Sequence, residues 1–183
     1  MNPETLHIQN ILLAEDDPRD VELTLAALEG HHLANNVAVV DDGAEALDYL
    51  YRRGRFKTRM SGDPVVVLLD NHMPKVSGLE VLKVMKADEQ LRLIPVVVLT
   101  SSRETPDLME FYKHGVNAYV VKPVDFAEFM NAVKQLGVFW VAVNEPPPAV
   151  KREERPTKVA DGVFQDPKRL ANEIPASHPA SRG

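Results

Sequence analysis

Five short aliphatic runs, separated by stretches of helical character, constrain this chain more than any other feature. They are residues 8–14 (IQNILLA), 36–40 (NVAVV), 65–69 (VVVLL), 94–99 (IPVVVL) and 118–121 (AYVV). Most lack the polar alternation of a half-exposed strand, so they predict parallel strands covered on both faces. Helix signals fill the gaps. Pro18 suits a first helical position after Asp17, and Val21, Leu25 and Leu28 then share a face. Asp42 with Glu45, Ser77 with Glu80, and Asp125 with Glu128 have the spacing of capping boxes. Thr105-Pro106 opens a fourth helix and Gly115 is placed to end it. The pattern is (βα)5, an α/β fold with a doubly wound parallel sheet.

Composition sets the boundaries. From Glu145 onward lie seven of the 14 prolines, with seven Lys/Arg against six Asp/Glu; this tail is near +1, leaving −7 of the net −6 on residues 1–144. A segment such as EPPPAVKREERPTK interrupts helix and strand alike and buries little. We therefore expect an ordered unit over 1–144, with a core at 8–137 and an apolar extension at 138–144, followed by a Pro-rich, mostly disordered tail at 145–183. The negative charge argues against non-specific attraction to nucleic acid or anionic membrane. No apolar run approaches the roughly 20 residues that span a bilayer, and the N-terminal residues do not resemble a signal peptide. The absence of cysteine excludes disulfides and thiolate metal sites and fits a reducing compartment. A cytoplasmic location is expected.

The strand tips carry the chemistry. Strand one ends at Glu15-Asp16, strand three at Asp70, strand four at Thr100 and strand five at Lys122. In a parallel sheet these ends share one edge, and open α/β sheets bind ligands there, where strand order reverses. With the order 2-1-3-4-5 the crevice falls between strands one and three, beside Glu15, Asp16 and Asp70. Three neighbouring carboxylates repel one another, and ionising all of them calls for a cation. An all-oxygen ligand set favours Mg2+ over zinc or copper. A carboxylate set between a divalent cation, a lysine and a hydroxyl is arranged to accept a phosphoryl group: the cation and Lys122 offset the oxygen charges and Thr100 adds a hydrogen bond. Asp70 is then the nucleophile and the product an aspartyl phosphate.

The segments ILLAEDDP, VVVLLDNHMPKVSGLEVL, IPVVVLTSS and AYVVKP, in this order and at these intervals, resemble the receiver domain of two-component response regulators over residues 8–137. That resemblance implies a CheY-like, flavodoxin-like fold and phosphotransfer from a sensor kinase's phosphohistidine to Asp70. It also implies that Asp16 binds Mg2+ directly, that Glu15 binds it through water or directly, and that the backbone carbonyl of His72 completes the protein ligands. Thr100 is expected to contact the phosphoryl group and move with it, and Tyr119 to turn inward after it, as a switch. Lys122 is expected to pair with a phosphoryl oxygen, ahead of a cis bond to Pro123.

Two features narrow the similarity. The connection RRGRFKTRMSGDP (52–64) is long, and the chain continues past its fifth helix as LGVFWVAVNEPPP. Both look like the small stand-alone response regulators paired with bacterial phytochromes, which implies a light-sensing histidine kinase upstream. The apolar run at 138–143 either folds back on its own domain or forms a homodimer contact, with Phe139 and Trp140 as anchors. Arg52, Arg53, Arg55, Lys57 and Arg59 read as a solvated basic face rather than a nucleic-acid surface.

Competing functions are fewer. A hydrolase of the haloacid-dehalogenase type places a second acid two residues past the nucleophile, where this chain has His72. The alternative that survives is a non-phosphorylated interaction or dimerisation module on the receiver fold. The leading expectation is a regulatory protein that catalyses its own phosphorylation and dephosphorylation and has no metabolic substrate.

Overall fold

The computed structural model describes residues 10–29, 36–59, 62–101, 104–123 and 125–145. Strands β1 (Ile11–Ala14), β2 (Val37–Val40), β3 (Val66–Leu69), β4 (Val96–Thr100) and β5 (Ala118–Val121) alternate with helices α1 (Pro18–Glu29), α2 (Gly43–Tyr51), α3 (Gly78–Ala87), α4 (Thr105–Lys113) and α5 (Phe126–Val138). The strands form one parallel sheet in the order β2-β1-β3-β4-β5. This is the flavodoxin-like arrangement expected from the aliphatic runs.

Successive residues of a strand point to opposite faces, and here both faces are covered. Leu12, Ala14, Val67, Leu69, Val96 and Val98 pack with Leu50, Leu82, Met85 and Phe111 of α2, α3 and α4. Ile11, Leu13, Val66, Leu68, Val97 and Leu99 pack with Ala27 and Leu28 of α1 and with Phe129 and Val133 of α5. Neither side of the central strands meets water, so neither needs polar residues. On α1 the buried stripe is Thr24, Ala27 and Leu28, with Val21 packed beside it. Leu25, expected in that stripe, is only half-buried.

The helix starts follow the side chains. Asp42, Ser77 and Asp125 each accept a hydrogen bond from the backbone N–H three residues on, at 2.8, 3.3 and 2.9 Å. Only the Ser77–Glu80 pair closes the full capping box, with Glu80 accepting from the Ser77 N–H at 2.9 Å. Asp17 caps α1, accepting from the Arg19 N–H at 2.8 Å. Gly115, at φ +79°, ends the α4 region in a conformation that favours glycine.

Past α5 the chain continues into a π-helical turn, Phe139–Val143. Trp140 and Val141 fold back against the core layer of α1 and α5. Phe139, whose ring meets that of Trp140 edge-on at 5.0 Å, remains 48% exposed, and Val143 remains 67% exposed. The expected tail lies outside the described residues from 146 onward. Among the described residues no helix is long and apolar enough to cross a membrane.

Candidate functional site

The C-terminal tips of the strands meet at one edge because every strand runs the same way. β1 delivers Glu15, followed by Asp16; β3, its neighbour, delivers Asp70. Carboxylate oxygens of these three residues lie within 4.8 Å of one another. Glu15 and Asp70 are buried, at 3% and 6% exposure, while Asp16 faces solvent. Backbone hydrogen bonds hold the tips in place: Glu15 N–H donates to the Val40 carbonyl at 3.1 Å, and Asp70 N–H to the Ala14 carbonyl at 2.9 Å.

From the far side of the sheet, Lys122 reaches into the acid cluster. Its Nζ lies 2.6 Å from Glu15 Oε2, 2.6 Å from Asp20 Oδ2 and 3.1 Å from Asp70 Oδ1. Burial works against the charge on Lys122, but the hydrogen bonds to Asp20 and Glu15, with Asp70 beside them, hold its pKa above the usual lysine value. At Glu15 burial wins. It pushes the carboxyl up to about 7 against the opposing pull of Lys122, and the Asp70 charge pushes the same way. The other oxygen of Asp70, Oδ2, accepts the His72 backbone N–H at 2.6 Å. The Asp70 carboxylate is therefore fixed at both oxygens, by an ammonium on one side and a loop N–H on the other.

The loop after β3 is itself tightly held. Met73 and Val76 are buried in the core beneath α2 and α3. Lys75, at φ +63°, ties the loop to α2 by reaching the buried Asp42, Nζ to Oδ2 at 2.5 Å. Gly78 N–H donates to the Asn71 carbonyl at 3.0 Å, and a Cβ at Gly78 would sit 2.2 Å from the Asp70 carbonyl oxygen. At Gly43, on α2, a Cβ would sit 2.1 Å from the Val76 carbonyl oxygen. Both glycines are present because helix and loop backbones touch there.

The remaining expected residues occupy neighbouring positions. Thr100 is the last residue of β4 and fully buried, and its carbonyl accepts the Lys122 N–H at 2.7 Å. Tyr119 is half-buried, with its ring 5.5 Å from that of Phe111 and packed on the core layer beneath α4. His72 is exposed. The Lys122–Pro123 bond departs from expectation: no cis peptide bond occurs among the described residues, so this one is trans. Trans is the isomer an X–Pro bond favours by about 0.5–1 kcal/mol when tertiary contacts do not oppose it.

Asp20 is the participant that sequence reasoning missed. An acid in the first turn of a helix reads as a complement to the helix dipole. Only its meeting with Lys122, 102 residues away, marks it as part of this cluster. Three residues of the basic cluster at 52–59 are engaged locally. Arg55 pairs with Glu45 at 2.7 Å, Arg53 lies over Tyr51, and Arg59 lies over Tyr49 while donating to the Tyr49 carbonyl at 2.9 Å.

Hard oxygen donors, three carboxylates close together and no sulfur form a donor set that fits a small divalent cation. Comparison with known proteins points the same way. The bacteriophytochrome response regulator AtBRR is 59% identical, with 75% of this chain and 98% of that chain covered and a TM-score of 0.61. The phosphorylated form of RcpA, a cyanobacterial phytochrome response regulator, is 34% identical over 76% of this chain and 98% of its own, with a TM-score of 0.71. Rcp1 from Synechocystis is 32% identical over 141 residues, 77% of this chain and 95% of Rcp1. The structure of its Mn2+-bound form superposes with a TM-score of 0.70, covering 76% of this chain and 99% of that one. The family model described as the response regulator receiver domain matches residues 11–134. With the sheet order, the acid cluster and the lysine all in agreement with that match, this chain belongs to the response regulator receiver domain family.

Proposed function

We propose that this protein is a response regulator of the cytoplasm that accepts a phosphoryl group on Asp70 from a sensor histidine kinase, a bacteriophytochrome. Its family membership supports phosphoryl acceptance in two-component signalling, and its identity to bacteriophytochrome response regulators supports the light-sensing partner. The observation that carries the site is the placement of Lys122 Nζ 3.1 Å from Asp70 Oδ1 inside a cluster of three carboxylates.

In this reading Glu15, Asp16, Asp70 and the His72 carbonyl hold Mg2+, which when bound offsets negative charge on the phosphoryl oxygens. A carboxylate oxygen of Asp70 forms the new P–O bond as the P–N bond of the kinase's phosphohistidine breaks, and the imidazole leaves with that electron pair. Lys122 pairs with one equatorial oxygen and the Thr100 hydroxyl donates to another. The His72 N–H orients Asp70 through Oδ2. The movement of Thr100 lets Tyr119 turn inward, and the altered face of α4 and β5 is the output. Residues 1–144 form the receiver and 145–183 a separate tail. The exposed Phe139, backed by Trp140, supplies a homodimer contact.

Phosphotransfer from a bacteriophytochrome kinase to the wild type and to Asp70→Asn tests the assignment. Only the wild type is expected to take up label, and only with Mg2+ present. Equal labelling of both would place the acceptor elsewhere. No response of the wild type to Mg2+ with beryllofluoride would favour the inert interaction module instead.

A further inference from the structure

An ammonium has three N–H donors, and those of Lys122 face three anionic acceptors: Glu15 and Asp20 at 2.6 Å and Asp70 at 3.1 Å. The longest contact is the one to the acceptor residue. Two carboxylates that do not carry the phosphoryl group therefore hold the lysine more closely than the one that does. They differ in what occupies them. Glu15 belongs to the acid cluster that suits a cation, whereas Asp20 stands outside that cluster, on the first turn of α1. A cation drawn to Glu15 leaves Asp20 as the remaining competitor for Lys122. The Lys122 side chain is 12% exposed and that of Asp20 31%, so water screens their attraction only in part.

We infer that Asp20 is a positioning residue that acts through Lys122: it draws the ammonium toward α1 and so weakens the lysine's grip on a phosphoryl group at Asp70. This rests on the acceptor reading given above. It makes Asp20 a brake built into the site, since its removal frees charge for the incoming anion without touching the acceptor or the cation ligands. Asp20→Asn keeps the shape and an acceptor oxygen but removes the charge, and Asp20→Glu restores the charge on a longer arm. A residue that served only the helix dipole would change stability alone and leave anion binding as it was.

The test titrates beryllofluoride into the full chain at saturating Mg2+, followed by Trp140 fluorescence and amide NMR. Asp20→Asn is expected to bind about tenfold tighter than wild type, the effect of releasing one partly screened charge-assisted contact. Asp20→Glu should return to within about twofold of wild type. In a Lys122→Met background, the Asp20→Asn change should shrink to less than about twofold, because the lysine through which it acts is gone. In the metal-free chain, urea unfolding of the wild type, Asp20→Asn, Lys122→Met and the double variant should show Asp20 and Lys122 coupled by at least about threefold in the unfolding constant. Unchanged or weaker binding by Asp20→Asn overturns the inference, and so does equal tightening without the lysine. Those outcomes leave the acceptor reading intact as long as the wild type binds. A wild type that shows no response overturns the acceptor reading itself. The Asp20 variants alone decide the direction of the effect should Lys122→Met fail to fold.

Discussion

Gly78→Ala is a one-methyl perturbation whose consequence can be worked out from contacts at Asp70. The added Cβ would lie 2.2 Å from the Asp70 carbonyl oxygen and 3.0 Å from the Asn71 Cα, where real Cβ atoms essentially never approach within 3.0 Å. The contact must therefore open by at least 0.8 Å, and the atoms that must move are backbone on both sides. Helix α3 cannot easily yield, because Val81, Leu82 and Met85 are buried and Ser77 and Glu80 lock its first turn. Asp70 must then give way, against its N–H bond to the Ala14 carbonyl and the loop that follows. Overpacking of this kind costs about 1–3 kcal/mol. A shift near 1 Å in a reacting group costs on the order of a hundredfold in rate. Gly43→Ala is the control: it meets the Val76 carbonyl oxygen at 2.1 Å, an equally severe clash six residues along the chain from Asp70. Urea denaturation should show similar losses for both variants, and phosphorylation by a small-molecule phosphodonor such as acetyl phosphate should fall far more in Gly78→Ala. Equal rates in the two variants, or a Gly78→Ala chain as reactive as wild type, would refute the claim that this contact sets the position of Asp70.

Other outcomes follow from the same geometry. Burial holds the Glu15 carboxyl near 7, so a proton competes with a cation there below that pH. Mg2+ affinity, measured by calorimetry, should rise with pH and level off above about 7, falling about tenfold by pH 6; an affinity flat from pH 6 to 8 would refute this. Because the folded-state value lies above the ordinary carboxyl value of 4.5, the metal-free native state takes up a proton between the two, and its stability should decline as pH rises across that window. Asp42→Ala removes the acceptor of the Glu45 N–H and the partner of Lys75, with an expected loss of about 1–2 kcal/mol in denaturation; Asp42→Asn should lose less, since an amide oxygen still caps the helix. Phe111→Ala empties a fully buried ring site beside Tyr119, and about 3–5 kcal/mol of stability should go with it.

The fold was legible because burial on both faces leaves a compositional trace. Val66–Leu69 and Val96–Thr100 need no polar residue until they reach the sheet edge, so the first polar side chain in each run marks that edge. Glu15, Asp16, Asp70, Thr100 and Lys122 were readable for the same reason, as strand tips in a sheet whose order could be inferred. Asp20 was not, since its role depends on how close α1 comes to the end of β5, a distance no local pattern encodes. The Lys75–Asp42 tie was hidden likewise: a lysine at positive φ follows from the loop's path rather than from its residue type. The run at 138–143 was visible as apolar, but which members would face the core was not. The π-helical turn breaks the α-helical phase there, leaving Trp140 packed and Phe139 outside.

The span of Lys122 has an implication for synthesis. Its contacts to Asp20 and Glu15 bridge 102 and 107 positions of sequence, and β5 is both the last strand among the described residues and an outer one. A chain still emerging from the ribosome can pair β1 with β3, and so bring its acidic residues together, before the lysine exists to balance them. Until β5 docks, the rim carries negative charge that no lysine offsets, which opposes compaction there. Completion of the sheet and the balancing of that charge thus arrive in a single event.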